Sequence, residues 1–339
     1  MSTPRRAALG RAIGAMLIVV GAAGLSSGGF LIGQGLAAED PGGSGRPNAG
    51  APTAAPPRST SGPSGAAVQP PPAGETATLV GAGDIANCGS IHDEETAKLV
   101  RAIRGTVFTA GDNAYPRGTA AEFKKCYQAS WGRFRDRTRP APGNHDAVTD
   151  DGAPYFAYFG AAAGTAPDGW YSYEAGTWHV IVLNSNCLIV GGCAEGSRQL
   201  AWLTADLAAH PAACTLAIWH HPRFTSGLHG NDPQTGAFWR VLYEAGAELI
   251  VNGHEHDYER FAPQTPTGVA DPGRGIREFI VGTGGESLRL FKPAVANSEV
   301  RNSSTYGVLR LDLSPGRYAW QFIAVTGRSF SDNGTAACH

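Results

Sequence analysis

The fold that this 339-residue sequence predicts is a four-layer α/β-β/α sandwich of the mixed α/β (α+β) class, two mixed sheets flanked by helices. Three observations lead to it. From Thr76 onward, short β-branched apolar runs alternate with amphipathic stretches of helical period. Five of those runs break abruptly into carboxylates, amides or imidazoles, the position at which open α/β sheets carry their ligands. No change of composition divides residues 76–339, so a single domain is expected there.

What precedes that domain is of a different kind. Residues 1–38 read as an export segment, because Arg5, Arg6 and Arg11 stand before an apolar run from Ala12 to Leu25 and a small-residue stretch follows at Gly35–Ala38. Apolar residues resume at Phe30–Ile32, so an uncleaved membrane anchor over the same residues is the alternative to cleavage. Residues 39–75 are Pro, Gly, Ala, Ser and Thr with almost no large apolar side chain, the composition of a flexible linker that cannot bury enough surface to order itself. The remainder is therefore expected outside the cytoplasm, secreted or at the cell surface. A formal charge of −2 gives no basic stripe for a nucleic acid, and 42 % hydrophobic with 17 % charged residues is ordinary for a globular core.

Taken in order, Thr78 to Gly83 is a buried strand ending at Asp84, and Asp93 to Ile103 a helix with Leu99, Val100 and Ile103 on one side. Thr106 to Ala110 is the next strand, ending at Gly111-Asp112-Asn113-Ala114-Tyr115. Thr119 to Trp131 reads as a helix opened by a Thr cap with Glu122 three residues on. Arg139 to Pro142 leads into Gly143-Asn144-His145-Asp146. Trp170 to Glu174 and Thr177 to Asn184 form a hairpin turning at Ala175-Gly176, and Ser197 to Ala209 is a helix. Strands Thr215 to Trp219 and Leu249 to Asn252 end in His220-His221-Pro222 and Gly253-His254-Glu255-His256. Three last strands, Arg277 to Gly282, Tyr306 to Leu313 and Arg317 to Val325, carry no chemistry of their own and are expected to complete a second sheet.

Six cysteines in an exported chain imply disulfides. Cys187 and Cys193 share one Gly-rich loop and are the first expected pair; Cys88 with Cys126 is the second, leaving Cys214 and Cys338, although six cysteines permit fifteen connectivities. No CxxC spacing supports a thiolate metal site.

The strand ends together offer Asp84, Asp112, Tyr115, Asn144, His220, His254 and His256. Carboxylate, phenolate, amide oxygen and imidazole suit hard to borderline cations. Seven such groups exceed what one tetrahedral ion takes and suit two ions bridged by a carboxylate, about 3.5–4 Å apart in two-metal hydrolases. A zinc-peptidase reading of His254-Glu255-His256 fails, because that chemistry places two histidines four apart on a helix.

This series of motifs resembles the calcineurin-like metallophosphoesterase superfamily, and Tyr115, three residues after Asp112, with the run His256-Asp-Tyr-Glu-Arg260, is similar to its purple acid phosphatase branch. The resemblance covers about Leu79 to Arg260. It implies that Asp84, Tyr115 and His256 hold one ion and Asn144, His220 and His254 the other, with Asp112 between them. Either His220 or His221 can supply that ligand, and the family's His-x-Pro pattern selects His220. It further implies Fe(III) with divalent Fe, Zn or Mn, or else two divalent ions. His145 and His229 would act on the substrate side. The implied reaction is hydrolysis of small phosphate monoesters by a metal-bound hydroxide, with a phosphodiesterase or nucleotidase using the same dinuclear site as the alternative. One departure is visible: the usual Asp-x-Gly of the first motif is Asp84-Ile85-Ala86.

Overall fold

Apolar runs buried on both faces form the centre of each sheet, and half-buried alternating runs form its flanks. The computed structural model describes residues 76–339, which lie within one compact unit; the expected export segment or anchor (1–38) and linker (39–75) lie outside the described residues. In chain order the first elements are β1 (Ala77–Ala82), β2 (Ala86–Asn87), α1 (His92–Ala102), β3 (Thr106–Ala110), β4 (Ala114–Tyr115), α2 (Ala120–Lys125) and β5 (Thr138–Ala141). There follow α3 (Asn144–Ala147), α4 (Ala153–Phe159), β6 (Tyr171–Ala175), β7 (Trp178–Val182), α5 (Arg198–Ala209), β8 (Thr215–Ile218), α6 (Gly236–Glu244) and β9 (Leu249–Asn252). The last are β10 (Tyr258–Phe261), β11 (Arg277–Val281), β12 (Ser298–Asn302), β13 (Gly307–Ser314), β14 (Arg317–Ala324) and β15 (Ser331–Ala337).

One sheet has the order β15-β14-β13-β1-β3-β5 and the other β12-β10-β11-β9-β8-β7-β6. In the first, β1, β3 and β5 are parallel and β13 to β15 antiparallel; in the second, β7, β8, β9 and β11 are parallel. The parallel strands β7, β8 and β9 are buried at every residue, whereas β13 alternates buried and half-buried residues as an antiparallel flank does. Val180, Val182, Leu216, Ile218 and Val251 pack in one core with Phe108, Leu309 and Leu311 of the facing sheet. The alternate residues Ile181, Leu183, Ala217, Trp219 and Ile250 pack with Leu200 and Leu203 of α5 and Phe238 and Leu242 of α6. Each fully buried Leu or Phe contributes roughly 1.5–3 kcal/mol, so these faces hold the layers together.

The expected pair of mixed sheets with outer helices is the observed architecture, but two elements differ. The last three expected strands do not share a sheet. β11 lies beside β9 in the seven-stranded sheet, while β13 and β14 extend the six-stranded sheet, where Leu311 pairs with Leu79 and with Trp320. The long helix expected over Thr119 to Trp131 is α2 followed by two 3-10 stretches, Tyr127–Ala129 and Trp131–Arg137. Phe123, Tyr127 and Trp131 are buried along it, so the apolar stripe persists although the backbone tightens after Cys126. The Thr119–Glu122 capping box is formed.

The three disulfides are Cys88–Cys126, Cys187–Cys193 and Cys214–Cys338, the pairing expected. The third ties the residue before β8 to the residue after β15, linking the two sheets. On the outer edge, buried His179 joins the β6–β7 hairpin to α5, with Nδ1 2.7 Å from Glu174 Oε1 and Nε2 2.8 Å from Asp206 Oδ2.

Candidate active site

The carboxyl ends of β1, β3 and β5 in one sheet and of β8 and β9 in the other open toward a common point. Asp84, Asp112, Asn144, His220 and His254 each stand two or three residues past a strand, and the short parallel pairing of β2 with β4 carries Tyr115 to the same place. Asp84, Asp112 and His254 have φ of 58°, 50° and 70°. Side chains rarely accept this left-handed region, and such strain concentrates at working sites. Two glycines make room. A Cβ on Gly111, itself at φ 84°, would lie 2.4 Å from His220 Nδ1, and one on Gly143 would lie 2.1 Å from Asp112 Oδ1.

Asp112 Oδ2 is central to the cluster. It accepts from Tyr115 Oη at 2.8 Å and lies 3.3 Å from His220 Nε2. To one side, Tyr115 Oη donates to Asp84 Oδ1 at 2.7 Å, and His256 Nε2 is 3.2 Å from Tyr115 Oη and 3.3 Å from Asp84 Oδ1. To the other, His220 Nε2 lies 3.0 Å from Asn144 Oδ1 and 3.2 Å from His254 Nδ1. The far nitrogens of two rings are committed to carbonyls: His220 Nδ1 to Ala110 O at 2.8 Å and His256 Nδ1 to Ser287 O at 2.7 Å. A carbonyl only accepts, so in the neutral rings the proton sits on Nδ1 and the Nε2 lone pair faces the cluster. His221 is held differently, its Nδ1 2.7 Å from Ser185 Oγ, with its ring 4.5 Å from that of His254.

Electrostatics follow from this crowding. Burial opposes the charge on Asp112, yet His220 and then His145 more than offset it and hold the carboxyl well below its ordinary range. Burial likewise opposes a charged His220, but Asp112 raises it to about 9. Burial and the charge of His220 push His221 down to about 3 and His254 lower still. Burial, then Asp112 and Asp84, push the Tyr115 phenol well above 10.

His145 and His229 flank the open side of the cluster, with 31 % and 43 % of their side chains exposed. His145 donates its backbone N–H to Asp112 Oδ1 at 2.7 Å, sets Nδ1 against Pro116 O at 2.6 Å, and keeps Nε2 3.9 Å from Asp112 Oδ2. The His229 ring lies 4.2 Å from that of His254. Three further residues went unremarked in the sequence. Asp146 accepts from Gly143 N at 2.9 Å and Asn113 Nδ2 at 2.8 Å, locking the two ligand-bearing loops together, and burial with the Asp112 charge raises it to about 7. Glu255 accepts His229 N–H at 2.7 Å, and Arg289 reaches His229 Nε2 at 3.1 Å. The Asp of Asn-His-Asp and the Glu between two histidines were in plain view, whereas nothing local pointed to Arg289, 33 residues beyond His256.

A facing-sheet sandwich with carboxylates, a phenol, an amide and imidazoles gathered at its strand ends defines a class, the metallophosphoesterases. The calcineurin-like phosphoesterase family model matches residues 72–258, more than half of the chain, and the chain belongs to that family. Its relatives place it on the purple acid phosphatase-like side. It is 28 % identical over 149 residues to purple acid phosphatase 15 of Arabidopsis thaliana (38 % of this chain, 27 % of that protein). It is 31 % identical over 131 residues to acid phosphatase A of Cryphonectria parasitica (33 % and 26 %). An uncharacterized protein of Mycobacterium tuberculosis is 28 % identical over 185 residues (44 % and 35 %). The chain thus spans only about a third of the length of these relatives or less. In fold it is similar to purple acid phosphatase PPD1 of yellow lupin (TM-score 0.62, 17 % identity, 78 % of this chain and 54 % of that one). It is also similar to GAP50, the anchor in the inner membrane complex of Plasmodium (TM-score 0.60, 13 % identity, 76 % and 88 %).

Proposed function

We propose that this chain is an exported phosphatase that hydrolyses small phosphate monoesters at a dinuclear metal site. The observation that carries this reading is the division of the cluster about Asp112 Oδ2, with Asp84, Tyr115 and His256 to one side and Asn144, His220 and His254 to the other. These residues fit cations. Asp84 and Asp112 are 0 % and 1 % exposed, and their ion-pair partners among the described residues are imidazoles, with no lysine or arginine. Without metal these buried carboxylates lean on a protonated His220 and on the Tyr115 hydroxyl, and bound cations would take that place. The first group, with its hard phenol oxygen, suits Fe(III), and the second suits divalent Fe, Zn or Mn.

Two bound cations supply acidification of water and neutralisation of phosphoryl charge, so the protein needs no nucleophile of its own. The chain's residues do the rest. Asp112, with Oδ1 held by His145 N–H and its loop backed by Asp146, keeps one oxygen at the shared position. His145, whose Nδ1–H is committed to Pro116 O, has Nε2 free to hold a proton for the departing alkoxide. His229 provides a second imidazole on the substrate side. The disulfides and the expected leader support export.

The test is Asp112→Asn. Loss of a partner that only orients a metal ligand costs about 10–100-fold, so loss of a shared ligand is expected to lower aryl phosphate hydrolysis by more than about 100-fold together with metal content. Folded Asp112→Asn protein with parental metal content and parental rate would overturn the assignment.

A further inference from the structure

We propose that Arg289 is a substrate-binding residue that favours phosphate monoesters over diesters, and that Glu255 is the positioning residue that holds His229 beside it. This rests on the phosphoesterase reading above and deepens it.

Arg289 spans the two ends of the cluster. Its backbone N–H donates to His256 O at 2.9 Å, and its guanidinium reaches His229 Nε2 at 3.1 Å, where the His229 ring lies over His254. Among the described residues this neutral ring nitrogen is the guanidinium's partner, and no carboxylate pairs with it. A cation held by a neutral acceptor at the mouth of an anion-processing site is free to exchange that acceptor for an oxyanion.

The same contact fixes the state of His229. A guanidinium only donates, so Nε2 accepts and the ring proton is on Nδ1. That nitrogen lies 3.2 Å from Glu255 Oε2, and Glu255 Oε1 accepts the His229 backbone N–H at 2.7 Å. Glu255 is fully buried, and a Cβ on Gly227 would come within 2.3 Å of its Oε2, so the loop closes over the carboxylate only because residue 227 is glycine. Glu255 thereby sets the place of His229 through its backbone N–H, and the Arg289 contact sets its tautomer, with Nε2 presented to Arg289 and the substrate.

A planar guanidinium binds two oxygens of one phosphoryl group. Near neutral pH a monoester carries close to two charges, because its second ionisation falls near pH 6, whereas a diester carries one. Arg289 therefore discriminates between them.

The experiment compares parent, Arg289→Gln and Arg289→Lys, as the whole metal-loaded protein, on an aryl phosphate and on a bis-aryl phosphate, with inorganic phosphate as inhibitor. Arg289→Gln is expected to raise the monoester KM and the phosphate inhibition constant about 10–100-fold, the size of a lost charged hydrogen-bond pair. Its metal content and kcat should stay near parental, diester kcat/KM should change less than about 3-fold, and Arg289→Lys should recover part of the loss. Glu255→Gln is expected to lower kcat in the parent background and to add nothing in a His229→Ala background. Equal losses on both esters, unchanged phosphate inhibition, or a Glu255→Gln effect that persists without His229 would overturn the proposal. Parent protein inert toward both esters would overturn the phosphoesterase reading itself; an active parent with an unaltered Arg289→Gln overturns this inference alone.

Discussion

Tyr115→Phe separates the structural share of the phenol from its share in metal binding. Without metal, its hydroxyl donates to Asp84 Oδ1 at 2.7 Å and to Asp112 Oδ2 at 2.8 Å, both almost fully buried. A hydrogen bond to a charged group is worth about 1.5–3 kcal/mol, and one hydroxyl proton shared between two acceptors yields less than two full bonds, so the metal-free protein should lose about 3 kcal/mol. In a domain of this size that corresponds to a melting midpoint about 6–12 °C lower. With metal bound, the variant also lacks a ligand, so its loss there adds weakened metal binding to the missing hydrogen bond. The assay is thermal unfolding of parent and variant, each with chelator and each metal-loaded, followed by the visible spectrum of the loaded forms. If the first group takes Fe(III), as proposed, the parent is expected to show a charge-transfer band that the variant lacks. A metal-free midpoint within about 1 °C of the parent would show that Tyr115 does not bridge the two carboxylates, and the reasoning about the cluster would fail.

Other outcomes follow from the same geometry. Gly143→Ala, whose new Cβ would lie 2.1 Å from Asp112 Oδ1, should fold with a displaced Asp112 and bind less metal, as elemental analysis would show, whereas Gly273→Ala, where a Cβ meets Asp271 Oδ1 only at an ordinary 3.7 Å, should keep its metal. The folded His220 is raised to about 9 from an ordinary 6.5, so its contribution is complete below about pH 6.5 and lost as pH climbs through 9. Denaturant titrations of chelated protein should therefore show stability falling by up to about 3 kcal/mol across that window, and His220→Gln should flatten the fall. Replacing both Cys214 and Cys338 by serine removes a cross-link 124 residues apart and should cost about 2–5 kcal/mol in the same titration, leaving the hydrolytic rate at low temperature unchanged.

The strand ends were legible because each motif couples an apolar run to a polar break within a few residues, a signal that needs no tertiary information. Asp84, Asp112, Asn144, His220 and His254 were all marked in that way. The capping box at Thr119 was equally local. What the sequence did not show depends on distant partners. β13 and β14 join the first sheet because Leu311 finds Leu79, more than 200 residues earlier, and strand pairing over that span has no local cue. α4 was missed because its aromatic run, Tyr155-Phe-Ala-Tyr158-Phe159, lacks the polar face that marks a helix; it is buried against Phe123 and Tyr127 instead. Arg289 is unmarked because its role arises only where the loop after β11 folds back on His229. The left-handed backbone at Asp84, Asp112 and His254 is likewise a product of close approach, which the preceding glycines permit but do not announce.

Metal stoichiometry of the purified protein tests the central claim most directly. Two metal ions per chain are expected in the parent, with Asp112→Asn well below two and a chelated sample near zero that regains both its ions and aryl phosphate hydrolysis when Fe, Zn or Mn is returned. Correctly folded parent protein that takes up one ion or none under the same conditions would contradict it.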